Sequence, residues 1–203
     1  MKRIVFIALA VSSVLLLSTV AQAAPPTKYR IQDEAVNAEL YYYDPAACVV
    51  TEVHVGAHET VEQQVGGPVH QRWLSVDLYT FNDCTFSSSF AEGYVQLNSG
   101  ELEVLGSAKS ARLQKSLVLQ NNYTGDAVPV TLDLTWTAFG EPYRNSYHQA
   151  NHSQFVRTSW NYTGVARDAE VTGSVTSGTT HLLPQSSIHG GTISTSNSGA
   201  VLH

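Results

Sequence analysis

The chain has 203 residues, of which 17 are acidic and 11 basic, for a formal charge of −6. That balance argues against a phosphate-backbone partner, because nucleic acid is gripped by clustered Lys and Arg, and it disfavours docking on anionic lipid. Charge is sparse at 14%, and Ser, Thr, Val, Gly and Tyr give the chain the composition of pleated, half-buried strands joined by tight turns.

In chain order, Met1-Lys2-Arg3 is a short positive segment, residues 4–17 are apolar apart from Ser12 and Ser13, and Ala21-Gln22-Ala23 offers an A-x-A processing site. Together they predict a secretory signal peptide cleaved after Ala23. The apolar run is too short for a membrane span of about 20 residues, and no later segment is long and apolar enough to form one. Residues 24–203 are then a single exported domain with nine basic residues against 17 acidic ones, a formal charge of −8. A chain of that size buries about 70% of its unfolded surface around one core.

Beyond the signal, hydrophobicity has period two. Val36, Ala38, Leu40 and Tyr42 predict one strand, and Val49, Thr51, Val53 and Val55 a second. Residues 59–64 form the only stretch with helical character. After the Gly66-Gly67-Pro68 turn, Leu74, Val76 and Leu78 resume the alternation. Weaker candidates are 85–97, 102–105 and 111–120, the last joined through Gly125-Asp126 to the most regular strand. There Val128, Val130, Leu132, Leu134 and Trp136 alternate with Pro129, Thr131, Asp133, Thr135 and Thr137. Segment 139–153 has Gly140, Pro142, Asn145 and Asn151 and no apolar period, which predicts a long surface loop. A weaker strand at 154–162 precedes Ala169, Val171, Gly173 and Val175, which end at Ser177-Gly178, and another surrounds Leu182 and Leu183. From about residue 190 the chain is Gly, Ser, Thr and Asn with Ile193 alone, predicting an exposed edge strand or a loose tail. Eight to ten short strands without crossover helices predict an all-β antiparallel sandwich or jelly roll.

Two cysteines, Cys48 and Cys84, enter an oxidising compartment if the chain is exported, which predicts a disulfide. The competing reading is a pair of free thiols or metal ligands, and it lacks any C-x-x-C spacing.

Three segments also carry a resemblance. Residues 43–51 (Tyr43-Asp44-Pro45-Ala46-Ala47-Cys48-Val49-Val50-Thr51), Asp133-Leu134-Thr135-Trp136-Thr137, and Arg167-Asp168-Ala169-Glu170 with Gly173 and Gly178 resemble a group of uncharacterised bacterial secreted proteins. The resemblance implies export and a β-rich fold over most of the mature chain, and it transfers no catalytic or binding residue.

Candidate chemistry is thin. His54 and His58, and His148 and His152, form two His-x3-His pairs that could supply Zn or Cu if the fold brings them together. On strands or loops, however, this spacing does not by itself converge, as it does on a helix. Asp168 and Glu170 share a strand face, which is usually just a wet face. No G-x-S-x-G, H-E-x-x-H or P-loop spacing occurs, so no catalytic residue is named. Aromatic residues are the better hint. Tyr41, Tyr42 and Tyr43 line the first strand, and Tyr143, Arg144, Tyr147 and His148 fall in the long loop, with Trp160 and Tyr162 beyond it. Such groups bring large contact area at low entropic cost. The alternative is that Trp73, Trp136 and Trp160 are core anchors. The sequence therefore predicts an exported, non-catalytic module that binds a glycan or an extracellular protein through Tyr143, Arg144, Tyr147 and His148. A secreted hydrolase with an unrecognised site comes second, and a metal-binding exported protein third.

Overall fold

The computed structural model describes residues 27–64, 66–152, 157–178, 180–183 and 188–202; the predicted signal segment lies outside them. Every regular element among them is a strand: β1 (Thr27–Asp44), β2 (Val49–Gln64), β3 (Gly67–Asn82), β4 (Ser87–Gln96), β5 (Leu102–Leu105), β6 (Ser110–Asn121), β7 (Ala127–Ala138), β8 (Tyr143–His152), β9 (Arg157–Ser177), β10 (Thr180–Leu183) and β11 (Ile188–Leu202). The all-β antiparallel fold expected from period two is what forms. Residues 59–64, given helical character above, instead complete β2, where they pair with β3.

The pairing returns on itself. The order β9-β11-β1-β2-β3-β4-β6 is closed by β7, which pairs with both β6 and β9. The thinnest seam is between β4 and β6, which share only Ala91↔Asn121 and Glu92↔Gln120. Period two does not distinguish such a ring from a sandwich, because both bury alternate residues.

The ring is filled by one apolar cluster. Val36, Val53, Leu74, Val76, Leu113, Leu119, Leu132, Trp136, Val171 and Ile193 are almost wholly buried within it. Val36, Val53, Leu74, Val76, Leu132, Trp136 and Val171 are alternate residues picked out by periodicity, whereas Leu113 and Leu119 lie on the weaker candidate that is β6, and Ile193 lies in the segment expected to be an exposed edge or a tail. Each is worth about 1.5–3 kcal/mol of transfer free energy for the larger side chains.

At one pole, three hairpin ends use the same device. Asp44 Oδ1 accepts from the Ala46 and Ala47 N–H groups at 2.9 and 3.2 Å, Asn82 Oδ1 from Cys84 and Thr85 at 3.0 and 2.9 Å, and Asn121 Oδ1 from Tyr123 and Thr124 at 2.9 and 3.0 Å. Such side chains mimic a turn of backbone, which is why Asp and Asn stand where strands end. The predicted disulfide joins the first two of these loops, Cys48 to Cys84 with Cα atoms 5.7 Å apart. The Asp83 N–H donates to the Cys48 carbonyl beside it.

At the opposite pole the sheet runs on past its core. Val36, Ala57, Leu74 and Ile193 mark the last buried row, and no residue of 28–35, 58–64, 67–73, 143–152, 157–168 or 194–202 is buried. These segments form a six-stranded apron in the order β8-β9-β11-β1-β2-β3, with no fully buried residue on either face. Two expectations are corrected here. Segment 139–153 is not a long loop: its residues 143–152 are β8, every one exposed and paired to β9. The segment from 190 is neither an edge nor a loose tail, since β11 is paired along its length to β1 and β9. Both lack an apolar period for the same reason. A strand with water on both faces has no side that must be hydrophobic.

Candidate functional site

The apron's outer face continues the ring's solvent face. Cross-strand rows place Tyr147, Tyr162, Ser198 and Ile31 side by side, and Gln149, Trp160, Ala200 and Tyr29 in the next row. Two further rows align Asn145, Gly164, Ser196 and Asp33, and Tyr143, Ala166, Ser194 and Ala35. The outer side chains of β11 are therefore Ser194, Ser196, Ser198 and Ala200, all small. Large ones stand on either side: Trp160 and Tyr162 on β9, backed by Tyr147 on β8, and Tyr29 and Ile31 on β1. The result is a trough two strand spacings wide, about 10 Å, floored by hydroxyls and railed by rings.

The rails are held in place. Tyr147 meets Trp160 edge-on with ring centres 5.5 Å apart, and Trp160 stacks with Tyr162 at 6.2 Å. The Tyr162 phenol lies along its strand over Gly164, where a Cβ would be 2.5 Å from its hydroxyl. The Tyr147 hydroxyl donates to Gln149 Oε1 at 3.0 Å, and Gln149 Nε2 to Asn151 Oδ1 at 3.4 Å. The rings nevertheless stay open to solvent: Trp160 is 40% exposed, Tyr147 48% and Tyr29 42%. Asp33, bonded by the Thr60 hydroxyl at 2.7 Å, is the only charged side chain in these rows.

Beyond Ser194 the trough continues over Thr192 and Gly190 into a hollow of about 390 Å³. Asn37 and Glu39 of β1 line one side, Asp168 and Phe139 the other, and Gly190, which has no side chain on this outer face, leaves its floor open.

The four predicted binding residues are split by the pleat. Tyr143 and Tyr147 point to the outer face, while Arg144 and His148 point to the inner one, where His148 bonds the Asn161 side chain. A strand alternates its side chains, so these four are not one patch. The His-x3-His pairs do not meet either. His54 and His58 lie on the outer face of β2; His148 and His152 lie on the inner face of β8, with β1, β11 and β9 between, roughly 19 Å away. Among the described residues no group of three or more His, Cys, Asp or Glu is placed to hold a metal ion. Trp136 is a core anchor as expected, whereas Trp160 is a rail and Trp73 stacks on Tyr94 at 5.0 Å outside the core. The serine floor was missed, although Ser194, Ser196 and Ser198 already alternate in the sequence.

The inner face of the apron is charged instead. Glu34 and Glu59 are direct cross-strand partners, with Arg72 next in the row. Glu59 receives Arg72 at 2.6 Å and His70 at 2.9 Å. Its burial favours the neutral acid, but hydrogen bonds and charge from Arg72 and His70 outweigh this and hold its carboxyl below the usual range. Glu34 has no such cation. Burial first, and the Glu59 and Asp33 carboxylates next, push it up.

No protein-family model and no curated protein matches the chain. Among solved structures it is similar to an acetoacetate decarboxylase-like enzyme from Sphingomonas wittichii RW1, at 13% identity over 93% of this chain and 97% of that one, with a TM-score of 0.28. It is also similar to the enduracididine biosynthesis enzyme MppR, complexed with the condensation product of pyruvate and imidazole 4-carboxaldehyde, at 12% identity over 97% and 95%, with a TM-score of 0.30. Likeness at this level carries neither fold nor chemistry across. Among the described residues no helix is long and apolar enough to cross a membrane.

Proposed function

We propose that the protein is an exported binding module whose β11 trough holds a neutral glycan chain, without catalysis of its own. The observation that carries this reading is the placement of Trp160. It sits on a part of the sheet that has no core to serve, locked between Tyr147 and Tyr162 and still 40% exposed. Aromatic faces offer sugar C–H surfaces a large rigid contact. The adjoining Ser, Asn and Gln side chains offer donors and acceptors for ring hydroxyls. The four rows of the trough hold no Lys or Arg and the only charges along it are carboxylates, which favours a neutral chain over an anionic one. Export is supported by the signal-like leader and by a disulfide, which persists in oxidising compartments.

Affinity electrophoresis of the mature protein through gels containing neutral or anionic polysaccharides tests the reading. Retardation by at least one neutral polymer, insensitive to salt, is expected. Uniform mobility in every neutral gel, or retardation only by anionic polymers and abolished by salt, would overturn it.

One observation favours the hydrolase reading: Glu39 and Asp168 face the hollow from opposite sides, on strands separated by β11. Glycoside hydrolysis requires two carboxyl groups across a cleft. If that reading held, the retained polysaccharide would gain reducing ends on incubation, and Glu39→Gln would stop it. Unchanged reducing ends leave the module a binder only.

A further inference from the structure

We infer that β8 is a dimerisation edge, joining two copies of this chain antiparallel into one continuous apron. β8 is ten residues long, and among the described residues β9 is its only partner, on one side, which leaves the main-chain N–H and C=O groups of its other side unpaired there. Open edges are normally blunted by Lys, Pro, inward charges, bulges or shortness. Tyr143-Arg144-Asn145-Ser146-Tyr147-His148-Gln149-Ala150-Asn151-His152 has no Lys, Pro, Asp or Glu, its one fixed charge is Arg144 near one end on the inner face, and its register with β9 is unbroken. The apron's other edge, at the start of β3, is guarded: Pro68 stands in it, and Arg72 and His70 are drawn to Glu59. The remaining short strands, β5 and β10, have four residues each. Of the apron's two edges β8 is the less protected, and it is paired to β9 without a break over ten residues.

The second copy fits by symmetry. A two-fold axis perpendicular to the sheet keeps outer faces together and pairs β8 with itself. Centred on Tyr147, it sets Tyr147 opposite Tyr147, Asn145 opposite Gln149 and Tyr143 opposite Asn151 on the outer face. On the inner face it sets Ser146 opposite His148 and Arg144 opposite Ala150. No like charges oppose one another. Tyr147 meets its own copy, the amides of Asn145 and Gln149 meet, and the Tyr147–Trp160–Tyr162 clusters of both copies adjoin at the seam. Because Pro68 guards the far edge, the assembly closes at two instead of growing into a filament. Two troughs then share one face, which would raise avidity for a long polymer, but the dimer itself is independent of what the trough binds.

The test is a charge swap on the inner face, away from the trough. Sedimentation of the mature protein should show a dimer that dissociates on dilution. Ser146→Lys with His148→Lys should be monomeric, Ser146→Glu with His148→Glu likewise, each with dimer affinity weakened more than about tenfold. Mixing the two should restore a dimer containing one of each. A wild-type protein that is monomeric throughout, or a dimer indifferent to both double variants, would overturn the inference. Should either variant fail to fold, deuterium uptake of wild-type 143–152 decides. Uptake that slows with rising protein concentration supports the edge, and concentration-independent uptake overturns it.

Discussion

Trp136 on β7 donates its indole N–H to the main-chain carbonyl of Asn37 on β1 at 2.7 Å, although β9 and β11 lie between them in the sheet. It reaches across because the row beside it is built of small residues: Ala138, Ala169, Gly191 and Ala38 are successive partners. The indole thereby ties the two walls of the ring above the apron and leaves the shallow floor over Gly190 and Gly191 on the outside.

Gly191→Ala tests this tie. Its Cβ would lie 2.5 Å from the Asn37 carbonyl oxygen, 2.7 Å from Val171 and 2.8 Å from the Trp136 indole nitrogen. The expected cost is about 1–3 kcal/mol, read as a lower urea midpoint. Gly190→Ala, where a Cβ would meet nothing within 4 Å, should leave the midpoint close to wild type. Equal midpoints for the two variants would contradict the packing described.

Gly173 makes a harder demand. Its φ is +128° and an added Cβ would lie 2.0 Å from the Asp133 carbonyl oxygen, so neither backbone nor space admits a side chain. Gly173→Ala should cost at least about 2 kcal/mol and exceed Gly191→Ala. A thermal melt placing it at or above Gly191→Ala would refute that ranking.

How much of this was legible follows from which faces are dry. Val130, Leu132, Leu134 and Trp136 alternate with polar residues because one side of β7 meets the core, so their role is written in the sequence. The Cys48–Cys84 bridge was legible because two cysteines leave one pairing. β8 and the outer half of β11 were not legible, since water on both sides removes the periodicity that marks a strand. The binding proposal on Tyr143, Arg144, Tyr147 and His148 failed to form one patch for a related reason. A loop can gather successive side chains, whereas a strand sends them to opposite faces.

The Glu34–Glu59 row gives stability terms of opposite sign in pH. Glu59 is held below its ordinary 4.5, so its contribution is present above that value and is lost as pH falls through the folded pKa. Glu34 is raised above 4.5, so its contribution is present below that value and is lost as pH rises through the folded pKa. Glu34→Gln should therefore stabilise the protein at neutral pH by roughly 0.2–1 kcal/mol and do little in acid. Glu59→Gln should destabilise at neutral pH, and the deficit should shrink on acidification. Denaturant midpoints across pH 3–7 check both, and a Glu34→Gln variant that is weaker at neutral pH would contradict the like-charge account.

Cys48 and Cys84 are 36 residues apart and staple two turns at the pole opposite the apron. Replacing both with Ser should cost about 2–5 kcal/mol. Because the trough lies at the other pole, polysaccharide retention should survive under conditions where the variant stays folded. Retention lost in a folded double variant would disconnect binding from the apron.

The central claim is that the rings along β11 bind a sugar chain, and the most direct measurement is titration of Trp160→Ala with whichever neutral polysaccharide retards the wild type. Affinity should fall at least tenfold, about 1.4 kcal/mol, while the unfolding midpoint shifts little, since Trp160 is exposed and serves no core. Tyr147→Ala should follow in the same direction. A Trp160→Ala protein that binds like wild type would contradict the account.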